Sequence, residues 1–213
     1  QEKEIAQMLE SVGKKLKKLE KSFDNGKIIK DGIKTAIIGK PNAGKSSLLN
    51  AILKEDRAIV TDIAGTTRDT IEEFVTINGI PLNLVDTAGI REASDEVEKI
   101  GVEKSIKQAN DADLIIAIFD SSKDLEEEDI EILNLIKGKK SIILLNKSDL
   151  NSKINENDDR FTSITENILR ISALNKYGID ELYEKIAELF NLNEINLDNE
   201  ILITNIRHKN IIS

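Results

Sequence analysis

The segment Gly39-Lys40-Pro41-Asn42-Ala43-Gly44-Lys45-Ser46 constrains the fold of this chain more than any other. It has the form G-x-x-x-x-G-K-S, with an apolar run from Lys34 to Gly39 before it and a helical pattern from Lys45 to Leu53 after it. Between a strand and a helix, such a loop turns successive backbone N–H groups toward an anion. Gly44 permits close approach, and the helix N-terminus adds partial positive charge. Lys45 is then expected at the β- and γ-phosphates of a nucleotide and the Ser46 hydroxyl at Mg²⁺. Asn42, Ala43 and Ser47 complete the expected contacts of the loop. A chance Gly-rich turn is the bland alternative, and the strand-then-helix setting counts against it.

The rest of the chain repeats the strand–helix alternation. Ile71–Ile77 and Leu82–Asp86 read as strands joined through Asn78-Gly79, a hairpin signal. Pro81 must then sit at a strand start or edge, because it has no N–H to donate. A helix is expected from near Val97 to Ala109. Leu114–Asp120 and Ser141–Asn146 are the apolar runs of buried parallel strands. Leu125–Lys137 reads as a helix ending at Gly138, Asn151–Asp159 as polar loop, Ile168–Ser172 as a strand and Ile179–Phe190 as a helix. The expected fold is a three-layer α/β domain over residues 32–191, with a mostly parallel sheet and one antiparallel hairpin strand.

Both ends differ from this domain. In residues 1–31, Ile5, Leu9, Val12, Leu16, Leu19 and Phe23 recur at alternating spacings of four and three, the seam of a helix facing one partner. Lys14, Lys15, Lys17, Lys18 and Lys21 fall mostly off that seam, as a solvated face or as a patch that contacts RNA phosphates. Residues 192–213 turn polar and then apolar again, so the two ends are expected to form a helical appendage. The chain opens at Gln1 and its one Met is Met8, so it reads as a piece of something larger.

Composition removes several chemistries. There is no Cys and the one His is His208, which excludes a disulfide scaffold, a Cys-ligated zinc site and a thiol nucleophile. The net charge of −9 argues against broad binding to nucleic acid, though not against a local basic patch. No apolar run reaches the ~18 residues of a membrane span, so a cytoplasmic protein without membrane attachment is expected.

Three further segments fall at the C-terminal ends of strands, where α/β sheets bind ligands. Asp86-Thr87-Ala88-Gly89 can hold Mg²⁺ through water at Asp86 and meet a γ-phosphate at the Gly89 N–H. Asn146-Lys147-Ser148-Asp149 offers a carboxylate, Asp149, that can accept both N1–H and the N2 amine of guanine; adenine has no such donor pair. Ser172-Ala173-Leu174 can direct a backbone N–H at guanine O6. With the phosphate loop, these resemble the Ras-like P-loop GTPases of the translation-factor class.

Thr61-Asp62-Ile63-Ala64-Gly65-Thr66-Thr67-Arg68-Asp69 looks like the switch I of bacterial GTPases related to Era. The stretch Asp86 to Glu92 with Glu98, Ile100 and Gly101, and the tail Ile203 to His208, are more similar to the MnmE (TrmE) family of tRNA-modification GTPases. That resemblance covers essentially the whole chain. It implies GTP hydrolysis to GDP and phosphate, coupled in the intact protein to modification of the tRNA wobble uridine with a MnmG-type FAD protein. Ile90 stands where Ras-like proteins carry a water-orienting Gln, and its side chain has no polar atom for that task. The family uses a Glu, matched here by Glu98; a solvated helix-N-terminal acid is the other reading of that residue. The resemblance further implies K⁺ held by Asn42, Thr61, Ile63 and Thr66, Mg²⁺ held by Ser46 and Thr67, and transient pairing of two G domains. The catalytic set it implies is Glu98, Lys45, Thr67 and Gly89. The family's folate-binding domain and C-x-G-K motif are missing, so this chain is expected to hydrolyse GTP without modifying tRNA. An Era- or Der-like ribosome-assembly GTPase, or a nucleotide switch with little turnover, are the competing readings.

Overall fold

The computed structural model describes residue 28 and residues 31–53, 59–61, 73–77, 79–85 and 101–192; the side chains of 59–61, 73 and 101–105 are not described. The elements in chain order are β1 (Ile33–Ile38), α1 (Lys45–Leu53), β2 (Ile59–Thr61), β3 (Glu73–Ile77), β4 (Ile80–Leu84) and α2 (Gly101–Asp111). They continue as β5 (Leu114–Asp120), α3 (Glu127–Ile136), β6 (Ser141–Asn146), α4 (Asp159–Thr162), β7 (Ile168–Arg170) and α5 (Ile179–Leu189). Their strands form one sheet in the order β2-β3-β4-β1-β5-β6-β7. β1 runs parallel to β4 and β5, and β6 runs parallel to β5 and β7. β3 runs antiparallel to both neighbours, β2 and β4.

Side-chain alternation divides the apolar residues between the two faces of the sheet. Ile37, Ile116, Ile118, Ile142 and Leu144 pack with Leu48 and Ile52 of α1 and Leu182 and Ile186 of α5. Ile38, Ile115, Ala117, Phe119, Ile143 and Leu145 pack with Ala109 of α2, Leu133 and Ile136 of α3 and Phe161 of α4. Nearly every residue of β5 and β6 is therefore buried, the consequence of helices covering both faces of parallel strands. The result is the three-layer, mostly parallel α/β fold expected from the strand–helix alternation.

The local differences have identifiable causes. β4 begins at Ile80 rather than Leu82, directly after Gly79 (φ 81°), and pairs Ile77 with Ile80 and Thr76 with Pro81. Pro81 is the second residue of β4, one residue in from the strand start that was expected, and lies one residue before β4 begins to pair with β1 at Leu82 against Ile33. α3 starts at Glu127, not Leu125, because the Glu126 N–H donates to the Asp129 carboxylate at 2.9 Å and caps the helix there. The loop 151–158 buries Ile154 and runs into α4, whose Phe161 meets Phe119 edge-on with centroids 5.3 Å apart. Four residues are too few to show a helical period, so α4 was invisible to patterning. β7 ends at Arg170, and the chain from Ser172 to Tyr177 instead closes on itself through paired N–H···O bonds of 3.0 and 3.1 Å. The expected helix in residues 1–31 lies outside the described residues apart from Ile28 and Asp31, as does the end segment from 193 onward.

Candidate functional site

Three loops converge at the C-terminal edge of β1, β6 and β7, and one side chain joins them. Asn146, the last residue of β6, is 3% exposed. Its Nδ2 donates to the Ala43 carbonyl of the 39–46 loop at 2.8 Å, and its Oδ1 accepts from the Ala173 N–H at 2.9 Å. The amide thus spends donor and acceptor on two different loops and sets the gap between them. The 147–150 turn is held in the same group: Ser148 N–H donates to Ile171 C=O at 3.0 Å and Leu150 N–H to Lys147 C=O at 2.9 Å.

The 39–46 loop has the shape its composition called for. Gly44 sits at φ 110°, a conformation closed to other residues at low cost, and a Cβ there would fall on Asn146 Nδ2. A Cβ on Gly39 would lie 2.5 Å from Ile118 C=O. Asn42 holds φ 60°, an uncommon value for a residue with a side chain, and is exposed on the loop. Lys45 folds its ammonium back over the loop, donating to Gly39 C=O and Lys40 C=O at 2.7 Å each. That leaves a cation poised at the mouth of a backbone cradle. Ser46 is exposed at the start of α1, Ser47 is half-buried behind it, and Ala43 is buried.

On the other side, Lys147 also takes a positive φ, 63°, and its ammonium donates to Asp120 Oδ2 at 2.6 Å. Asp120 ends β5 and also accepts from the Ser122 hydroxyl and N–H. Burial pushes the Asp120 carboxyl up, but the hydrogen bonds from Lys147 and Ser122 outweigh it and hold the group below the usual carboxylate range. Asp149 is exposed, Ser172 and Ala173 are buried, and Leu174 projects with 79% of its surface open. The Ser172 and Ala173 N–H groups are bonded within the protein, to Tyr177 C=O and Asn146 Oδ1, and the exposed Asp149 carboxylate beside a positioned lysine can read the edge of a base.

The structure therefore brings together Asn42, Ala43, Gly44, Lys45, Ser46, Asn146, Lys147, Asp149, Ser172, Ala173 and Leu174. Thr61 ends β2 at the far edge of the sheet. Asp62, Ile63, Ala64, Gly65, Thr66, Thr67, Asp86, Thr87, Ala88, Gly89 and Glu98 lie outside the described residues. Two participants escaped sequence reasoning, Asp120 and Lys40. Asp120 is 27 residues from its partner and is matched by no local spacing. Lys40 lies inside the phosphate motif, at a position the motif leaves free.

The comparisons with known proteins agree with this geometry. A family described as "50S ribosome-binding GTPase" matches residues 34–147, more than half of the chain. The chain belongs to this GTPase family, and its fold is that of a P-loop GTPase. Among curated proteins it is similar to "tRNA modification GTPase MnmE" of Finegoldia magna, 57% identical over 199 residues, 93% of this chain and 43% of that protein. It is also similar to the protein of the same name from Clostridioides difficile, 52% identical over 211 residues, 98% and 46% of the respective lengths. The chain spans less than half the length of these relatives. Solved structures agree on the fold. Era in complex with MgGDPNP and a 16S ribosomal RNA fragment is 32% identical, with a TM-score of 0.54 over 73% of this chain and 55% of that one. The G domain of the T. maritima FeoB iron transporter is 27% identical, with a TM-score of 0.50 over 73% of this chain and 96% of that one. The resemblance carried by the Asp86–Glu92 stretch and the Ile203–His208 tail is thus matched by identity along most of the chain. Among the described residues, no helix is long and apolar enough to cross a membrane.

Proposed function

We propose that this chain hydrolyses GTP to GDP and phosphate at the three-loop site, and that in the intact protein this drives 5-carboxymethylaminomethyl modification of the tRNA wobble uridine. The observation that carries the first part is Asn146, which locks the phosphate loop at Ala43 to the base-side loop at Ala173. The second part rests on the 57% identity to an MnmE protein, against 32% to Era, which favours it over a ribosome-assembly role.

Each residue has a physical task. Backbone N–H groups of residues 42–46 receive the α- and β-phosphates, and Lys45 exchanges its two carbonyl partners for phosphate oxygens. Asp149 accepts the two guanine donors, and the Leu174 backbone region meets the base edge. Gly89 N–H binds the γ-phosphate, and Glu98 orients the attacking water, doing what Ile90 cannot.

The metal donors fit the expected ions. Ser46, Thr67 and, through water, Asp86 are all oxygen donors suited to Mg²⁺. Ser46 stands exposed beside Lys45, and Era, similar in fold, takes MgGDPNP. The exposed Asn42 amide, with Thr61, Ile63 and Thr66, offers neutral oxygens for K⁺, a larger and softer demand than Mg²⁺. Bound cations would supply charge compensation between the phosphates, the part an arginine finger plays elsewhere.

Pairing of two G domains across their nucleotides belongs to the same reading, and a MnmG-type FAD protein and tRNA are the partners of the intact protein in the cytoplasm. Phosphate release measured in KCl and NaCl at equal ionic strength, over a range of protein concentrations, tests this reading. Turnover faster in KCl and rising per molecule with concentration supports it. Equal rates in both salts at every concentration overturn the K⁺ and pairing assignments.

A further inference from the structure

Lys40 lies in the phosphate loop, yet its ammonium points away from the cradle. It donates to Glu126 Oε2 at 2.7 Å and pairs with Asp129 Oδ2 at 2.8 Å. Glu126 and Asp129 stand at the N-terminal end of α3, some 86 residues away in the chain. The Lys40 side chain is 16% exposed and that of Asp129 only 6%, so the central pair is shielded from water, whereas Glu126 is open at 68%. The same Asp129 oxygen caps α3 by accepting the Glu126 N–H at 2.9 Å. The backbone of Lys40 is equally committed. Its carbonyl accepts Lys45 Nζ at 2.7 Å and the Ala43 N–H at 3.2 Å. Burial pulls the Lys40 ammonium down, but its hydrogen bonds to Asp129 and Glu126 overcome that and keep it charged.

We propose that Lys40 is a positioning residue of the nucleotide site: its ion pair with Asp129 and Glu126 ties the phosphate loop to the start of α3 and so fixes one of the two carbonyls on which Lys45 rests. The inference deepens the reading of this site as a guanine-nucleotide site and rests on it. Lys40 brings no charge to the phosphates, because two carboxylates already neutralise it. Its contribution is preorganisation. A loop held in its binding shape before the nucleotide arrives loses less entropy when it binds. Sequence numbering puts the phosphate loop and α3 far apart, but here one carboxylate oxygen serves both the helix cap and the loop lysine. Displacement of the α3 N-terminus would therefore be felt at Lys45 through two bonded steps.

The test compares the full chain with Lys40→Met, which keeps length and removes charge, Lys40→Arg, which keeps the pair, and Glu126→Gln at the exposed carboxylate. Two quantities are measured: the Kd of a fluorescent GDP analogue, and hydrogen exchange of the 39–46 amides in nucleotide-free protein. Lys40→Met should bind GDP more weakly by up to about tenfold, the limit reached when the whole worth of one shielded charge-assisted hydrogen bond goes into ordering the loop. Its 39–46 amides should exchange faster, while Lys40→Arg restores both toward wild type and Glu126→Gln changes both by less than Lys40→Met. A purely structural role would lower the melting temperature of Lys40→Met without changing either quantity in the folded protein, and that result overturns the proposal. So does a Lys40→Arg protein as defective as Lys40→Met. A wild-type chain that fails to bind GDP overturns the guanine-nucleotide reading instead, and the exchange of the loop amides still decides the role of Lys40.

Discussion

Asn146 joins two loops of the site, and replacing it should disturb both at once. Its side chain is buried and makes two hydrogen bonds, one donated to Ala43 C=O at 2.8 Å and one accepted from Ala173 N–H at 2.9 Å. Asn146→Ala leaves a buried carbonyl and a buried N–H without these partners. Each orphaned group costs about 1–3 kcal/mol, and water entering from the site edge recovers part of it, so a total of about 2–4 kcal/mol is expected. Against a domain stability of about 5–15 kcal/mol that is a large fraction. Urea denaturation of the nucleotide-free chain should show the midpoint falling with the slope unchanged.

Asn146→Asp separates the effect of charge from that of the lost hydrogen bonds. The carboxylate still accepts from Ala173, but its other oxygen now faces the Ala43 carbonyl, and a charge is buried where a neutral amide stood. At pH 8 the Asp variant should be less stable than the Ala variant. Its folded-state carboxyl is raised above the unfolded value of about 3.9, so stability is regained as pH falls and the acid can donate to Ala43. An Ala variant within about 0.5 kcal/mol of wild type, a difference typical of neutral surface changes, would refute the reasoning. An Asp variant equal to Ala at pH 8, with no gain in stability as pH falls, would refute it too.

Four other outcomes follow from the same structure and sequence. Asp149→Asn should shift preference from guanine to xanthine nucleotides in a competition assay, because the amide presents a donor where the carboxylate only accepted; unchanged preference would remove Asp149 from the base site. Glu98→Ala should abolish phosphate release while leaving GDP affinity intact, and indifference to the change would favour a nucleotide switch over an enzyme. Gly39→Ala should destabilise the fold by about 1–3 kcal/mol in denaturant titration, since the new Cβ meets Ile118 C=O at 2.5 Å and a strand carbonyl has little room to move. Asp158 accepts from the Arg160 side chain and caps α4, and that pairing lowers its carboxyl to about 2. Its stabilisation is complete above the unfolded value near 3.9 and is lost as pH falls toward 2, so Asp158→Asn should flatten the acid limb of a melting-temperature profile over that window.

How much of this was legible beforehand depends on the range of the interaction. The expected bounds of α1, β5 and β6 coincide with the observed ones, because a buried helix or a fully covered parallel strand leaves a local pattern. The phosphate loop was legible because its glycines answer to backbone conformation and close approach. The helical α4 and the three-residue β2 were not, as neither is long enough to carry a period. Within the site, Lys45, Asn146 and Asp149 follow from motifs, but what Asn146 bonds does not: its two partners, Ala43 and Ala173, bring only backbone atoms, which any residue could supply. Asp120 and Lys40 were invisible for a related reason. Each is a lone charge whose partner lies 27 or 86 residues away, and only the parallel sheet, which sets strand ends side by side, brings them together.

The loops at 39–46, 146–149 and 172–174 form the proposed guanine-nucleotide hydrolase site. Its most direct test is the initial rate of phosphate release by this chain with Mg²⁺ in KCl, from GTP and from ATP at equal concentration. Release from GTP, and none above background from ATP, is the expected result. Equal release from both nucleotides, or none from either across a range of protein concentrations, would contradict it.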